Sequence, residues 1–285
     1  MGKGSASHVA KACGRLFCVA VFVTALATAG CQPGGGGGGG RGGGPGHRQQ
    51  ELALSPEQEL KLGREASEEI LSEPEKLGRP LPADSIPVRR VHTVAGRIIK
   101  ASRIEPLQRE INLHVEGYKF EWEEHVLRNP QVNAFCLPAG KIFVFTGLLP
   151  VTENDDQLAT VLSHEIAHAL AHHASKRVAR AMADREHGGR SLIASFLAKH
   201  YDREQESEAD HIGTFLMTFA GYDPREAIRF WERMQQVNTR GRPPEILSDH
   251  PSDARRIRAI DEWVPKALAG KKAFDEGRIA PARGR

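Results

Sequence analysis

Two histidines and one glutamate in the pentapeptide HEIAH have the types and the spacing needed to activate water on a metal ion. Histidines four residues apart lie on the same side of an α-helix, so the imidazoles of His164 and His168 can both reach one ion. Glu165 is rotated by about 100° from His164. From there it can take a proton from metal-bound water and later pass that proton to a leaving amine. The pentapeptide therefore predicts a hydrolytic zinc site.

A catalytic zinc site needs a third protein ligand, and the later segment ESEAD supplies candidates. Glu206 and Asp210 are four residues apart and share one face of a predicted helix. Glu206 could bind the metal while Asp210 orients a ligand histidine, and Glu208 is expected to point elsewhere. A three-histidine site that adds His172 is disfavoured, because the line of histidines would extend over on the order of 10 Å.

Four motifs follow one another along the chain in the order NAFCLPAGKIFVFTGLL, HEIAH, ESEAD and HPSDARRI. With these motifs, the chain resembles the zinc metalloendopeptidases of family forty-eight, a gluzincin family, over about residues 51–262. The resemblance implies one zinc ion per chain, held by His164, His168 and Glu206. It also implies that Glu165 is the general base.

The same resemblance implies a function for the segment 133–146. This segment matches a strand pair that lines the cleft, and its edge accepts an extended substrate chain by β-addition. Asn133, Phe135 and Gly140 are the residues expected at this edge.

His250 matches a histidine that can approach the zinc ion in soluble proteins resembling this one. Three alternatives are open for it. It fills the fourth coordination position at rest and keeps the enzyme latent, it acts in catalysis by stabilising the oxyanion, or it is a surface-loop histidine. His173 is expected to pack between helices or to support the ligands. Arg256 either braces the cleft or is a surface charge.

These residues need a scaffold of helices and a small sheet. Apolar spacing and helix-start signals predict helices over residues 56–72, 86–101, 154–183, 191–199, 203–220, 224–237 and 252–268. Alternation over 118–123 and β-rich runs at 131–137 and 141–146 predict an antiparallel sheet with one hairpin. The expected fold is a mostly helical α+β, zincin-like domain in which the small sheet lines the cleft.

The formal charge of +3 comes from the amino-terminal segment. Lys3, Lys11 and Arg15 account for it, because residues 1–30 contain no acid and the remaining basic and acidic residues are equal in number. No clustered basic face, and hence no nucleic-acid partner, is expected. A composition of 40% hydrophobic and 26% charged residues excludes wholesale disorder and a multi-span membrane protein.

An apolar run over residues 16–27 follows these basic residues, which is typical of a secretory signal. It ends in Thr-Ala-Gly-Cys31, which resembles a bacterial lipobox although Thr28 stands where leucine is usual. Lipidation of Cys31, and so attachment to a bacterial membrane, is expected, with plain cleavage and a retained anchor as alternatives. The lack of predicted transmembrane helices favours the periplasmic lipoprotein branch of the family, and the predicted location is the periplasmic face of the outer membrane. The predicted divisions are a signal peptide (1–30), a glycine-rich tether (31–50), a metallopeptidase domain (51–268) and a tail (269–285).

The leading functional hypothesis is a zinc-dependent endopeptidase that hydrolyses peptide bonds in unfolded or misassembled cell-envelope proteins. The alternative is a chaperone-like or assembly lipoprotein that binds clients in the same cleft and holds proteolysis latent. A purely structural zinc site is disfavoured because such sites are rich in cysteine. Cys136, the one cysteine of the predicted domain, lies in an apolar string and is expected to be buried.

Overall fold

The computed structural model describes residues 54–113, 115, 117–175, 201–238, 244–250 and 254–279. The signal segment, the tether with Cys31 and the helix predicted over 191–199 lie outside these residues and stay predictions. The described elements are α1 (Pro56–Ser72), α2 (Pro74–Leu77), α3 (Ile86–Ala101), α4 (Glu105–Glu110), β1 (Glu123–Leu127), β2 (Ala134–Leu137), β3 (Lys141–Phe145), α5 (Asp155–Leu170), α6 (Arg203–Phe219), α7 (Arg225–Asn238), α8 (Glu245–Asp249) and α9 (Ala254–Asp275). The predicted α+β class, with mostly helical structure and a small sheet, is confirmed.

Local signals in the sequence place the ends of several helices. α1 begins where Ser55 and Gln58 form a reciprocal capping box, and its bounds are those predicted. α3 also has its predicted bounds, whereas α9 continues past residue 268 to Asp275. α5 ends at Leu170, well before the predicted end at residue 183. The chain turns there because His172 adopts a left-handed backbone conformation with φ of 56°.

The sheet is mixed, with the strand order β1-β3-β2. β2 and β3 form the predicted antiparallel hairpin, in which Phe135 pairs with Phe143. β1 is parallel to β3, which corrects the prediction of a wholly antiparallel sheet. Of the alternating segment 118–123, only Glu123 belongs to a strand. Phe120 and Trp122 in this segment stack on each other at 5.2 Å between ring centroids, and pairing with β3 begins only at Glu123.

α5 lies in the centre of the fold, and its side chains are buried from Gln157 to Leu170. It packs against α3, β2 and α6. The approach of α6 is close because Gly213 faces the backbone of α5. A Cβ added at Gly213 would be 3.2 Å from the backbone nitrogen of His164. This approach places the HEIAH and ESEAD segments side by side.

In the described part of the chain, no helix combines the length and the apolar character needed to cross a membrane.

Candidate metal centre

Four buried side chains from three parts of the chain converge on one point. α5 contributes His164 and His168, α6 contributes Glu206, and His250 follows the short helix α8. Their nearest nitrogen and oxygen atoms all lie within 4.8 Å of one another. His164 Nε2 is 3.0 Å from His168 Nε2 and 3.1 Å from His250 Nδ1, and His250 Nδ1 is 2.8 Å from Glu206 Oε1.

This arrangement fits a tetrahedral metal ion. Ligand atoms that each lie about 2.0–2.1 Å from zinc are about 3.3 Å from one another. Five of the separations in the group run from 2.8 to 3.4 Å, and all four ligand atoms lie within 4.8 Å of one another. Two buried carboxylate oxygens, Glu206 Oε2 and Glu165 Oε1, accept no hydrogen bond, although Arg256 lies 3.3 Å from the first and His250 Nε2 lies 3.3 Å from the second. A divalent cation would add to the compensation of these buried carboxylates.

Burial and neighbouring charges set the protonation of these side chains. Burial and a nearby guanidinium would lower the pKa of His164, but Glu206 and Asp210 outweigh them and raise it to about 9. Burial lowers the pKa of His168 well below its ordinary value. Burial also opposes ionisation of Glu206, yet two histidines outweigh it and hold the pKa of that carboxyl low. An ionised Glu206 and a neutral His168 are the forms that bind a metal ion.

Glu165 lies beside the four side chains and is itself 1% exposed. Its Oε1 atom is 3.3 Å from His250 Nε2. Burial raises the pKa of the Glu165 carboxyl above its ordinary value. A raised pKa improves a carboxylate as a proton acceptor near neutral pH, which suits a general base.

His164 is oriented from behind by a buried ion pair. Its Nδ1 atom is 2.9 Å from Asp210 Oδ1. Arg256 holds the same carboxylate with two hydrogen bonds of 2.5 and 2.7 Å and lies 3.8 Å over the ring of Trp231. Arg256 is therefore a buried brace of the site, not a surface charge.

His168 is oriented by a second histidine. Its Nδ1 atom is 2.8 Å from His173 Nδ1, and His173 Nε2 is 3.1 Å from Glu208 Oε2. Tyr201 stacks on the His168 ring at 3.8 Å between centroids, with an angle of 14° between the planes. Glu208 points away from the four converging side chains, as expected, but it is buried and contacts the site through His173.

His172 belongs to a separate cluster beyond the end of α5. Its Nδ1 atom is 3.0 Å from both carboxylate oxygens of Glu59, which is buried on α1. Ser175 donates to the same carboxylate at 2.6 Å. This cluster joins α1 to the end of the active-site helix, and His172 is absent from the group of side chains that could hold a metal ion.

β2 lies next to α5 and is buried at one edge of the described sheet. Phe145 donates to the Asn133 carbonyl, and the hydrogen-bonding residues of an antiparallel pair alternate. The backbone groups of Phe135 therefore face β3, and those of Ala134 and Cys136 face the other side. Among the described residues, no strand pairs with that side of β2.

Asn133 ties the segment 244–250 to this strand. Its Nδ2 atom donates to Asp249 Oδ2 at 2.7 Å, and the nitrogen of Ile246 donates to the carbonyl of Val132 at 3.0 Å. These bonds hold the residue that precedes His250 against the start of β2.

Gly140 lies in the hairpin turn between β2 and β3. Its φ of 89° favours glycine, and an added Cβ would be 2.7 Å from the ring of Trp122. Gly140 therefore allows the aromatic ring to close over the turn.

Comparisons with known proteins agree with this geometry. The model of the family described as Peptidase family M48 matches residues 100–264. The chain belongs to peptidase family M48. The prediction of a metallopeptidase of this family is thereby confirmed, since the match includes HEIAH, ESEAD and the strand pair.

Members of family M48 from several organisms are similar to the chain. The mitochondrial metalloendopeptidase OMA1 of Schizosaccharomyces pombe is 36% identical over 231 residues, which cover 76% of this chain and 64% of that protein. The human mitochondrial metalloendopeptidase OMA1 is 34% identical over 188 residues, covering 56% and 36%. The beta-barrel assembly-enhancing protease of Escherichia coli is 27% identical over 172 residues, covering 50% and 34%. The chain thus spans between about a third and two thirds of the length of these M48 relatives.

The predicted location is corrected by these M48 relatives. An exported lipoprotein on the periplasmic face of the outer membrane was expected from the amino-terminal segment. The two OMA1 relatives, which are 34–36% identical to the chain, are mitochondrial proteins. This finding contradicts the predicted location and leaves the periplasmic lipoprotein branch of the family without support.

Sequence reasoning missed two parts of this M48 site. Tyr201 carries no spacing signal, because it reaches His168 only through the packing of α5 against the residues that precede α6. Glu208 had a signal in its position two residues after Glu206, but a helix turns by about 200° over two residues. That rotation turns Glu208 away from the metal group, and the spacing alone does not show that His173 connects it to His168.

Proposed function

We propose that this protein is a zinc-dependent metalloendopeptidase that hydrolyses peptide bonds in unfolded or misassembled proteins. The observation that carries the proposal is the convergence of His164, His168 and Glu206 on one point with the buried Glu165 beside it. Zinc, when bound there, would polarise the scissile carbonyl as a Lewis acid. Among the described strands β2 lies at the edge of the sheet, and an extended substrate chain would pair with its outer backbone groups in place of the 2.9 Å bond from the Ala134 N–H to Asn133 Oδ1.

Glu165 carries the proton in the proposed reaction. Its carboxylate accepts a proton from the attacking water as the oxygen bonds to the carbonyl carbon. It then transfers this proton to the amide nitrogen as the carbon–nitrogen bond breaks, which releases a free amine and a carboxylic acid. The raised pKa of Glu165 supports both transfers, because the group can hold the proton between the two steps.

The choice of substrates rests on the fold and on a relative. A strand edge binds any extended chain through its backbone, so it selects unfolded segments rather than one sequence. The similar Escherichia coli protein is named for its effect on β-barrel assembly. These two facts support unfolded or misassembled proteins as the substrate class.

Of the three alternatives for His250, its position supports the one in which it keeps the enzyme latent. It is 2% exposed, and its Nδ1 atom lies among the ligand atoms of Glu206 and His164. In that position it takes the place that a substrate carbonyl or the attacking water needs. A His250→Ala variant is then expected to cleave substrate faster than the wild type, whereas a large loss would favour oxyanion stabilisation.

The test combines metal content with proteolysis. The purified full chain is expected to contain one zinc ion and to cleave casein in a reaction that a chelator stops and added zinc restores. Glu165→Gln should keep the metal and lower the cleavage rate by about 10²–10⁴-fold. Glu68→Gln, the same change at an exposed residue of α1, is the matched control and should keep full activity. Full proteolysis by Glu165→Gln would overturn the proposal.

The second candidate function is client binding without cleavage, and the position of His250 favours it. The wild type and His250→Ala could both bind zinc and unfolded casein while neither protein cleaves the casein. In that case the protein is an assembly factor that uses the same cleft.

A further inference from the structure

We propose that Glu208 acts through His173 to hold His168 in the tautomer that binds the metal ion. The pair Glu208–His173 then positions a ligand of the proposed zinc site, so this inference rests on the proposed function. Nothing in the HEIAH pattern requires it. The contacts that carry it are the 2.8 Å separation between the Nδ1 atoms of His168 and His173 and the 3.1 Å separation between His173 Nε2 and Glu208 Oε2.

With Glu208 ionised and His173 neutral, these contacts leave one arrangement of protons. An ionised carboxylate only accepts hydrogen bonds, so His173 must carry its proton on Nε2 and donate it to Glu208. The Nδ1 atom of a neutral His173 is then an acceptor. His168 must therefore carry its own proton on Nδ1, which leaves a lone pair on Nε2, the atom that faces the other ligands. A neutral imidazole with a free Nε2 is the form that coordinates zinc.

The turn at the end of α5 is what makes this contact available. In an uninterrupted helix, residues five apart are rotated by about 140° and face different directions. The helix ends at Leu170, and the left-handed backbone of His172 folds His173 back towards His168. Glu59 holds His172 in that conformation through two contacts of 3.0 Å.

The two ligand histidines of α5 are thus supported in different ways by the same helix. Asp210 contacts His164 directly at 2.9 Å, whereas Glu208 contacts His168 through one intervening imidazole. Both carboxylates are buried, so neither contact competes with bulk water. Partners of metal ligands that lie in this outer position typically contribute about 10–100-fold to metal affinity.

The test is the zinc affinity of the full chain, measured by competition with a chromophoric chelator. Glu208→Gln and His173→Leu are each expected to raise the zinc dissociation constant by about 10–100-fold. Glu204→Gln, the same change at an exposed residue of α6, is the matched control and should bind zinc like the wild type. Circular dichroism checks that each variant is folded.

The double variant distinguishes this relay from two independent structural contacts. Because Glu208 acts through His173, adding Glu208→Gln to His173→Leu should weaken zinc binding no further. Additive losses would overturn the relay. A folded Glu208→Gln protein that binds zinc within twofold of the wild type would also overturn it.

Nitrogen-15 NMR of the histidine rings gives a second readout, independent of proteolysis. The zinc-loaded wild type should show His168 protonated at Nδ1 and His173 protonated at Nε2. The opposite tautomers would contradict the proposal. If the wild type binds no zinc at all, the proposed function fails together with the relay, whereas zinc binding that the variants leave unchanged removes only the relay.

Discussion

Replacement of Arg256 by methionine should destabilise the metal-free protein by about 3–5 kcal/mol. Arg256 is a buried permanent cation that contacts two buried carboxylates, Asp210 at 2.5 Å and Glu206 at 3.3 Å. Burial alone would lower the pKa of Arg256, but Asp210 and Glu206 outweigh it and raise that pKa. The charge of the guanidinium is therefore compensated in the folded state. Methionine retains most of the apolar volume but leaves the carboxylates without their cation.

The magnitude follows from the contacts that are lost. Removing one partner of a buried ion pair typically costs about 3–5 kcal/mol, because the other charge stays buried. The lost stacking on Trp231, at 3.8 Å, is part of this cost. In a domain of this size, about 1 kcal/mol corresponds to about 2–4 °C in Tm, so Tm should fall by about 6–20 °C.

The assay is urea unfolding followed by circular dichroism, with excess chelator present so that a bound cation does not compensate the carboxylates. Arg255→Met is the control, because Arg255 is the exposed neighbour on the same helix. An Arg256→Met protein within about 1 kcal/mol of this control would refute the reasoning. Adding Asp210→Asn should recover part of the loss, since the buried carboxylate is then neutral.

Other predictions concern packing and burial. Gly63→Ala should lower the free energy of unfolding, because its new Cβ would be 2.1 Å from the Pro138 carbonyl oxygen. Gly96→Ala, with no atom within 4 Å of the new Cβ, should raise the free energy of unfolding by about 0.5–1 kcal/mol in the same urea titration. Burial raises the pKa of the Cys136 thiol well above its ordinary value, so at pH 8 a thiol reagent should label a variant lacking the other three cysteines only after unfolding. Labelling of the folded protein would show that Cys136 is accessible. Glu59→Ala should lower the free energy of unfolding by about 1–3 kcal/mol, because its buried partners His172 and Ser175 lose their acceptor. An unchanged urea midpoint would show that the Glu59 cluster contributes nothing to stability.

Prediction from the sequence worked best where the signals were local. The capping box at Ser55 and the apolar spacing that follows it gave the bounds of α1, because a helix start depends on residues within one turn. The short helix α8 escaped prediction, since five residues are too few to show a helical repeat. The direction of β1 was missed for another reason. Whether two strands run parallel depends on the path of the chain between them, which no local pattern encodes.

The spacing of HEIAH already placed two histidines on one side of a helix, and the ESEAD segment offered a third ligand of the right chemistry. Both inferences need only the geometry of a single helix. The place of His250 beside Glu206, the burial of Arg256 and the route from Glu208 to His168 could not be read in this way. Each joins segments that are far apart along the chain, so it depends on how α5, α6 and the residues after α8 pack together. The close approach of α6 at Gly213 and the turn at His172 are the features of that packing that bring the separate charges into one site.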